Sequence, residues 1–253
     1  MTTRRILVAW VLMVSAAAAA QNVVTIRGKE QELQLYGTRG SFPILLSSGD
    51  LGWAGLVVHV AEHLSSAGYF VIGFNSRSYL SGFTSKSGTL TAQDVPKDYG
   101  VLVEFALKDS RVKPILAGVS EGAGLSVLAA TRAEVKGNVL GVLALGLPNQ
   151  NELGWKWQDA TIWITKRAPD EPGFMVADII ANVSPLPLAE IHSTHDEFLP
   201  LDKAKAMFAL AGEPKKMWTI EASNHRFGDN REELDRRILE ALAWIKQRPS
   251  PSN

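Results

Sequence analysis

Gly118-Val119-Ser120-Glu121-Gly122 follows the apolar run 114–117 and precedes the small-residue stretch 123–130. This order predicts a strand, a sharp turn and a helix, with Ser120 at the turn. A G-x-S-x-G segment in that setting is typical of a nucleophile elbow, whose glycines remove side chains that would collide with the strand and the helix. The stretch therefore predicts a serine with a strained backbone at the end of a buried strand.

Strand and helix patterns alternate along the chain on both sides of this elbow. The predicted strands are residues 33–36, 44–47, 69–74, 115–117, 139–145, 188–192 and 217–221. The predicted helices are residues 53–67, 94–107, 120–132, 202–210 and 230–246. Alternation of this kind predicts an α/β fold with a mostly parallel central sheet and helices on both faces.

Three stretches are interpreted less directly from their composition. Residues 33–36 are expected at an edge of the sheet, and the serine-, glycine- and threonine-rich residues 75–91 are interpreted as a loop. Within residues 147–183, a strand at 161–165 is one interpretation. Aromatic residues of this region are expected either to pack in the core or to cover a site; they are Trp155, Trp157, Trp163 and Phe174.

Length and composition indicate one catalytic domain. The chain has 253 residues, of which 46% are hydrophobic and 21% are charged, enough for a full core. Lysine plus arginine and aspartate plus glutamate number 26 each, so no net field favours nucleic acid. The chain has no cysteine, which excludes disulfides, a thiol nucleophile and cysteine-bound metal.

The first twenty residues have the layout of a secretory signal peptide. Arg4 and Arg5 precede an apolar run, and Ala18 and Ala20 suit a cleavage site that leaves Gln21 as the mature N-terminus. An uncleaved anchor is the alternative. We therefore expect a signal peptide at 1–20, a domain at 21–248 and a flexible tail at 249–253. A bacterial periplasmic or secreted location follows.

A serine hydroxyl needs a base to take its proton and a carboxylate to orient that base. In the serine, acid, histidine order of α/β hydrolases, both partners lie in loops at the carboxyl ends of strands. Asp196 follows the predicted strand ending at His192, and His225 follows the one ending at Glu221. We therefore predict Ser120, Asp196 and His225 as the catalytic residues, with Glu197 as the competitor for the acid.

The other four histidines are assigned no catalytic part. His59 and His63 are four residues apart on a predicted helix, a spacing that can bind metal, but no convincing third ligand is evident, so solvated positions are preferred. His192 and His195 lie in the acid loop, where a structural hydrogen bond or a substrate contact is expected. No metal and no cofactor are predicted.

Negative charge develops on the substrate carbonyl oxygen during attack, so two backbone donors are expected beside Ser120. The amide of Glu121 is one. The other is assigned to Asp50, with Leu51 as the next choice; a plain turn, with Asp50 capping the following helix, is the alternative. Leu51 and Tyr79 are the predicted substrate-binding residues.

Four segments together resemble the VirJ/AcvB virulence-protein family of α/β hydrolases over most of the mature chain. They are Ser48-Gly49-Asp50-Leu51-Gly52-Trp53, Asn75-Ser76-Arg77-Ser78-Tyr79, the elbow, and Asn224-His225-Arg226-Phe227. The family patterns are S-G-D-G-G-W, D-S-x-R-Y-F-W and G-Y-S-F-G-A-D. Its members are periplasmic bacterial proteins, some linked to type IV secretion and some to hydrolysis of lysyl-phosphatidylglycerol.

This chain departs from those patterns at several positions. Leu51 replaces a glycine, Asn75 an aspartate, and Val119 and Glu121 a tyrosine and a phenylalanine of the elbow. Leu80 and Ser81 follow Tyr79 where the family has phenylalanine and tryptophan. The resemblance therefore implies the catalytic residues, but not the aminoacyl-lipid substrate.

The leading hypothesis is an exported serine hydrolase that cleaves a carboxylic ester through an acyl-enzyme, with an aminoacyl ester of a phospholipid as one substrate. The carboxylate of Glu121 would favour a cationic acyl group; further negative charge near the site would come from Asp50, Asp229 or Glu197. The alternative is that the Glu121 side chain packs against the loops. The expected partners are a small-molecule or lipid ester, a periplasmic protein and the membrane periphery. The rival hypotheses are a non-catalytic periplasmic or secretion-associated adaptor on a hydrolase scaffold, and a peptidase or lipase.

Overall fold

The structure is a computed structural model that describes residues 22–86, 88–108, 110–156 and 171–248. Within these residues, eight strands form the main sheet. Their bounds are β1 Val23–Ile26, β2 Lys29–Tyr36, β3 Pro43–Ser47, β4 Phe70–Phe74, β5 Ile115–Val119, β6 Gly141–Leu145, β9 Leu188–Ser193 and β10 Lys215–Ile220. Their order across the sheet is β1-β2-β4-β3-β5-β6-β9-β10. The pairs β1/β2 and β2/β4 are antiparallel, and every other neighbouring pair is parallel.

Helices cover both faces of this sheet, as the alternating pattern predicts. Their bounds are α1 Leu56–Ser66, α2 Ser76–Phe83, α3 Asp94–Leu107, α4 Glu121–Ala130, α5 Ala133–Lys136, α6 Val176–Ile179, α7 Leu201–Ala209 and α8 Arg231–Lys246. A 3-10 turn, Ile180–Val183, continues α6. Two short strands, β7 Gln150–Glu152 and β8 Gly173–Met175, pair outside the main sheet.

Two hydrophobic layers hold the helices to the sheet. On one face, α3 and α4 bury side chains such as Leu102 and Leu125, and on the other, α1 and α8 bury side chains such as Leu64 and Ile238. The residues of β3 to β6 are buried on both faces, as expected for central parallel strands. Among the described residues, no helix is both long and apolar enough to cross a bilayer.

The structure corrects the sequence interpretation at two places. The edge of the sheet is β1 rather than residues 33–36, because a tight turn through Arg27 (φ 50°) and Gly28 (φ 79°) folds β1 onto β2. Residues 75–91 are not one loop, because they contain α2. The Asn75 side chain caps this helix by accepting a hydrogen bond from the amide of Ser78 at 3.1 Å.

Several predictions lie outside the described residues. These are the signal peptide at 1–20, the candidate strand 161–165, Trp157, Trp163 and the tail at 249–253. Phe174 lies on β8 and is packed against the core.

Candidate active site

Ser120 lies between β5 and α4 with φ 51° and ψ −121°, a backbone conformation that costs a non-glycine residue roughly 1–3 kcal/mol. Its amide donates a hydrogen bond to the carbonyl of Leu145 at the end of β6, 2.9 Å away. A Cβ at Gly118 would overlap the backbone of Gly122, and a Cβ at Gly122 would overlap the backbone of Ser47. The strained turn therefore requires both glycines of the G-x-S-x-G segment.

Ser120 lies where the strand order reverses. The chain passes from β3 to β4 on one side of β3, and β5 then pairs with β3 on the other side. The carboxyl ends of such strands form the crevice in which ligands bind in open α/β sheets. A Cβ at Gly49, in the loop after β3, would lie 3.3 Å from the Cβ of Ser120, so this loop borders the serine directly.

Asp196 and His225 are brought together by the parallel strands β9 and β10. The Nδ1 of His225 lies 2.5 Å from Oδ2 of Asp196. The other carboxylate oxygen, Oδ1, accepts hydrogen bonds from the amides of Phe198 and Leu199 at 2.8 and 3.0 Å. Burial alone would raise the pKa of Asp196, but the hydrogen bond and charge of His225, with the two amides, hold it below its ordinary value.

Glu197, the competitor for the acid, has a different contact. Its Oε2 accepts a hydrogen bond from the backbone amide of His225 at 2.7 Å, so it holds the loop and not the imidazole. Asp196 is therefore the carboxylate that orients the ring of His225, with a side chain that is 0% exposed.

The ring of His225 is fixed by its packing. Gly146 has φ 59°, and a Cβ there would lie 2.6 Å from Cε1 of His225, so only glycine leaves room for the ring. Phe198 contacts the ring edge to face, with centroids 5.0 Å apart. The Nε2 of His225 is buried and makes no hydrogen bond within the described residues. Since Gly146 follows Leu145, whose carbonyl holds Ser120, the serine and the histidine lie at the same end of the sheet.

The predicted oxyanion donors differ in their surroundings. Glu121 is the first residue of α4, so its amide belongs to the turn whose amides have no carbonyl partner within the helix. Its carboxylate turns away, and Oε1 accepts the amide of Glu152 at 2.8 Å. Burial, followed by the charges of Glu152 and Asp50, raises the pKa of Glu121 well above its ordinary value. Asp50 is exposed, next to Gly49 in the loop beside Ser120.

A cavity of about 470 Å³ lies next to this loop, and Leu51, the residue after Asp50, is part of its lining. Its lining residues are Leu51, Gly52, Trp53, Asn75, Arg77, Ser78, Ser81, Trp155 and Lys156. This volume is in the range of small-ligand sites. The guanidinium of Arg77 lies over the ring of Trp155, 4.2 Å from its centroid, and Lys156 forms an ion pair with Glu171. The cavity therefore combines aromatic walls with two cationic side chains.

The predicted substrate-binding residues separate in the structure. Leu51 is 47% exposed and lines the cavity. Tyr79 does not line it: the side chain is fully buried, and its hydroxyl donates a hydrogen bond to Oδ2 of Asp98 at 2.7 Å. The substrate-binding assignment of Tyr79 is thus corrected, because α2 turns this side chain into the core and leaves Arg77 and Ser78 facing the cavity.

The sequence model of the bacterial virulence protein family VirJ matches residues 42–246. This chain belongs to the VirJ family. A comparison with curated protein sequences gives no match. The family's region includes the elbow, the acid loop and the histidine loop described above.

Solved structures similar to this VirJ-family chain have the α/β-hydrolase fold. The esterase Est1E from Butyrivibrio proteoclasticus, with ferulic acid bound, has a TM-score of 0.66 and 16% identity, covering 89% of this chain and 99% of its own. A membrane phospholipase A that is described as a bacterial virulence factor has a TM-score of 0.65 and 14% identity, covering 97% of this chain and 100% of its own. The esterase EaEST from Exiguobacterium antarcticum has a TM-score of 0.64 and 14% identity, covering 89% of this chain and 98% of its own. The predicted α/β-hydrolase fold is confirmed.

His59 and His63 of the VirJ-family chain do have an acidic neighbour, unlike the solvated positions expected from sequence. Nε2 of His59 lies 2.7 Å from Oδ1 of Asp235 on α8, and Nε2 of His63 lies 3.2 Å from the Asp235 carbonyl oxygen. The three residues join α1 to α8. No group of three or more histidine, aspartate or glutamate side chains in the described part of the chain is arranged to hold a metal ion.

Sequence reasoning missed one acidic residue near the site. Glu190 lies on β9, two residues before His192, and both side chains are fully buried. His192 is expected from the sequence only to make a structural hydrogen bond or a substrate contact. A glutamate two residues before a histidine, inside a strand of otherwise small and apolar residues, was the available signal, because a buried carboxylate needs a partner.

Proposed function

We propose that this protein is an exported serine hydrolase that cleaves a carboxylic ester through an acyl-enzyme. The observation that carries the proposal is the buried His225–Asp196 hydrogen bond of 2.5 Å, at the same end of the sheet as the strained Ser120. A binding protein does not need, beside a serine elbow, an oriented imidazole whose other nitrogen is buried and accepts no hydrogen bond from the described part of the chain. The esterases and the phospholipase that share the fold support this class of reaction.

In the proposed mechanism, Ser120 Oγ attacks the ester carbonyl while His225 Nε2 takes the hydroxyl proton. Asp196 holds Nδ1–H and so fixes the tautomer that leaves Nε2 able to accept. The amides of Glu121 and Asp50 stabilise the negative oxygen. His225 then gives its proton to the leaving alcohol, and a water molecule, activated by the same nitrogen, releases the acid from Ser120.

The cavity suggests which ester is cleaved. Its aromatic walls, Trp53 and Trp155, suit an apolar group, and the guanidinium of Arg77 suits an anionic group such as a phosphate, whereas Lys156 is already paired with Glu171. An ester of a phospholipid combines both features. We therefore propose a phospholipid ester, with contact at the membrane periphery, as the substrate class.

A cationic aminoacyl group has less support among the acidic residues. The carboxylate of Glu121 accepts the amide of Glu152, that of Glu197 accepts the amide of His225, and that of Asp229 accepts the amide of Ser223. Asp50 is exposed, in the loop that borders Ser120. Among these four acidic residues, Asp50 is therefore the one chosen to test a cationic acyl preference.

The proposal is tested by measuring kcat/KM for matched esters that carry a lysyl, a neutral aminoacyl or a simple acyl group, with Ser120→Ala as the blank. Hydrolysis that disappears in Ser120→Ala supports the serine mechanism. Equal kcat/KM for lysyl and neutral esters would remove the cationic acyl preference, and Asp50→Asn should lower kcat/KM only for the lysyl ester if that preference exists. No hydrolysis of any ester by folded protein would favour the adaptor function.

Export is the second part of the proposal. It depends on the sequence of residues 1–20 and on membership of a bacterial virulence family. N-terminal sequencing of the protein from a periplasmic fraction should give Gln21 as the first residue. Recovery of an intact Met1 in the cytoplasm would contradict it.

A further inference from the structure

Glu190 and His192 form a second buried histidine–carboxylate contact behind Asp196. The two side chains lie on the same side of β9, since residues two apart share a face of a strand, and both are 0% exposed. Nδ1 of His192 lies 3.2 Å from Oε1 of Glu190, at ion-pair distance. Neither carboxylate oxygen of Glu190 makes a well-aligned hydrogen bond within the described residues, so this imidazole is the group that compensates its burial.

The other nitrogen of His192 faces the acid turn. Nε2 donates to the carbonyl of Leu199 at 2.9 Å and lies 3.7 Å from Oδ2 of Asp196. This oxygen is the one that contacts His225. Leu199 also donates its amide to Oδ1 of Asp196 at 3.0 Å, so His192 clamps the turn that presents both oxygens of the acid.

The proton on His192 is held by its partner. Burial alone would lower the pKa of His192, but the hydrogen bond and charge of Glu190 outweigh it, and the pKa is raised above its ordinary value. Burial likewise raises the pKa of Glu190, against the opposing effect of His192. An isolated charge buried there would cost several kcal/mol, so the two groups are buried as a pair.

Among the residues that the structure describes, the elements packed around this cluster add no further charge to it. β6 has no titratable residue, and α7 turns its charged side chains, Asp202, Lys203 and Lys205, to solvent. On β10, Nζ of Lys215 donates to carbonyls at the end of α7, and Lys216 lies beside Glu240. α8 packs on the opposite face of the sheet. Glu190, His192, Asp196 and His225 therefore interact as a group, with Glu197 on the His225 amide.

We propose that His192, held by Glu190, is a positioning residue for His225: its Nε2–H fixes the turn that presents Asp196, and Asp196 in turn orients the imidazole of His225. This inference rests on the proposed function, and extends the working set of residues from three to five. Without the hydrogen bond from His192, the acid turn is no longer held, and the ring of His225 loses its alignment with Ser120.

Two substitutions isolate the clamp. His192→Gln retains an N–H donor for the Leu199 carbonyl, and His192→Leu removes it. His59→Leu is the matched control for His192→Leu, because it removes another histidine hydrogen bond, with Asp235, away from Ser120. Each protein is first shown to be folded by its circular dichroism spectrum and melting temperature.

The readout is the second-order rate of labelling by a fluorophosphonate between pH 5 and 9. For His192→Gln we expect a limiting rate within about threefold of the wild type, because the donor to the acid turn is retained. For His192→Leu we expect a limiting rate lower by about tenfold or more, since the acid turn is no longer held. His59→Leu should match the wild type.

Two labelling results would overturn the inference: both His192 variants match the wild type at every pH, or both lose rate equally. If the wild type is not labelled at all, the proposed function fails, and NMR with labelled histidine then decides the inference separately. Ring signals of His225 that are unchanged in His192→Leu would overturn it, and ring signals that move in His192→Leu but not in His192→Gln would support it.

Discussion

His225 with Asp196 and His59 with Asp235 are two histidine–aspartate contacts of similar length and very different surroundings. The first is 2.5 Å long, with side chains 8% and 0% exposed, and the second is 2.7 Å long, with side chains 35% and 24% exposed. The first lies after two parallel strands, beside the serine elbow, and the second joins two outer helices. A hydrogen-bonded imidazole and carboxylate therefore indicate catalysis only together with burial, position at the strand ends and an unused ring nitrogen.

The largest expected difference between the two contacts is in activity. Asp196→Asn should lower kcat/KM for a cleaved ester by about 10⁴-fold, because the imidazole loses the group that fixes its tautomer. Asp235→Asn should leave kcat/KM within about twofold and stability within about 1 kcal/mol, as expected for a partly exposed pair. Steady-state kinetics and urea unfolding measure both, and equal activity of the two variants would break the distinction.

A smaller loss is expected when the buried contact is kept but displaced. Gly146→Ala places a Cβ 2.6 Å from Cε1 of His225 and forces an alanine into φ 59°. A shift of the ring by about 1 Å should lower kcat by about 100-fold. The matched control is Gly40→Ala, which also has positive φ but has no atom within 4 Å of the added methyl. Unaltered kcat in Gly146→Ala would show that the ring position is not critical.

The aspartate of the buried contact, Asp196, should also make stability depend on pH. The pKa of Asp196 is lowered in the folded state, so its stabilising contribution is present above the unfolded-state pKa, near 3.8, and is lost as the pH falls through the lower folded-state pKa. In Asp196→Asn this dependence disappears. The difference in free energy of unfolding between wild type and Asp196→Asn should therefore narrow on acidification below pH 4. Urea titrations at several pH values measure it, and a constant difference would contradict the lowered pKa.

The smallest expected effect is on stability and concerns Ser120, which lies at the same end of the sheet as the buried His225–Asp196 contact. Ser120→Gly should raise the free energy of unfolding by about 1 kcal/mol, because glycine adopts positive φ without the strain of a side chain. Ser120→Ala retains the Cβ and should not gain this stability. Urea midpoints of the two variants test the strain separately from the chemistry, and equal midpoints would show that the turn is relaxed.

Much of this arrangement could be predicted from the sequence. The alternating pattern gave the central strands and the order of Ser120, Asp196 and His225 along them, because strand ends in parallel sheets converge on one edge. Asp94–Leu107 has the predicted bounds as well, since its apolar spacing is long and regular.

The missed features depended on tertiary contacts. Helix α2 was interpreted as a loop because serine and glycine dominate its sequence, although Asn75 as an N-cap and the apolar Tyr79, Leu80 and Phe83 were readable signals. Asp235 reaches His59 from a helix 176 positions further along the chain, which no local pattern indicates. The part played by Glu190 and His192 cannot be predicted locally, because it depends on the turn that brings the carbonyl of Leu199 to His192.

The most direct test of the account is the intact mass of the mature protein after treatment with a fluorophosphonate, beside folded Ser120→Ala. The account predicts one adduct on the wild type, mapped to Ser120, and none on the variant. Wild-type protein that is folded and stays unmodified, or an adduct that persists in Ser120→Ala, would contradict the claim that Ser120 is activated by His225.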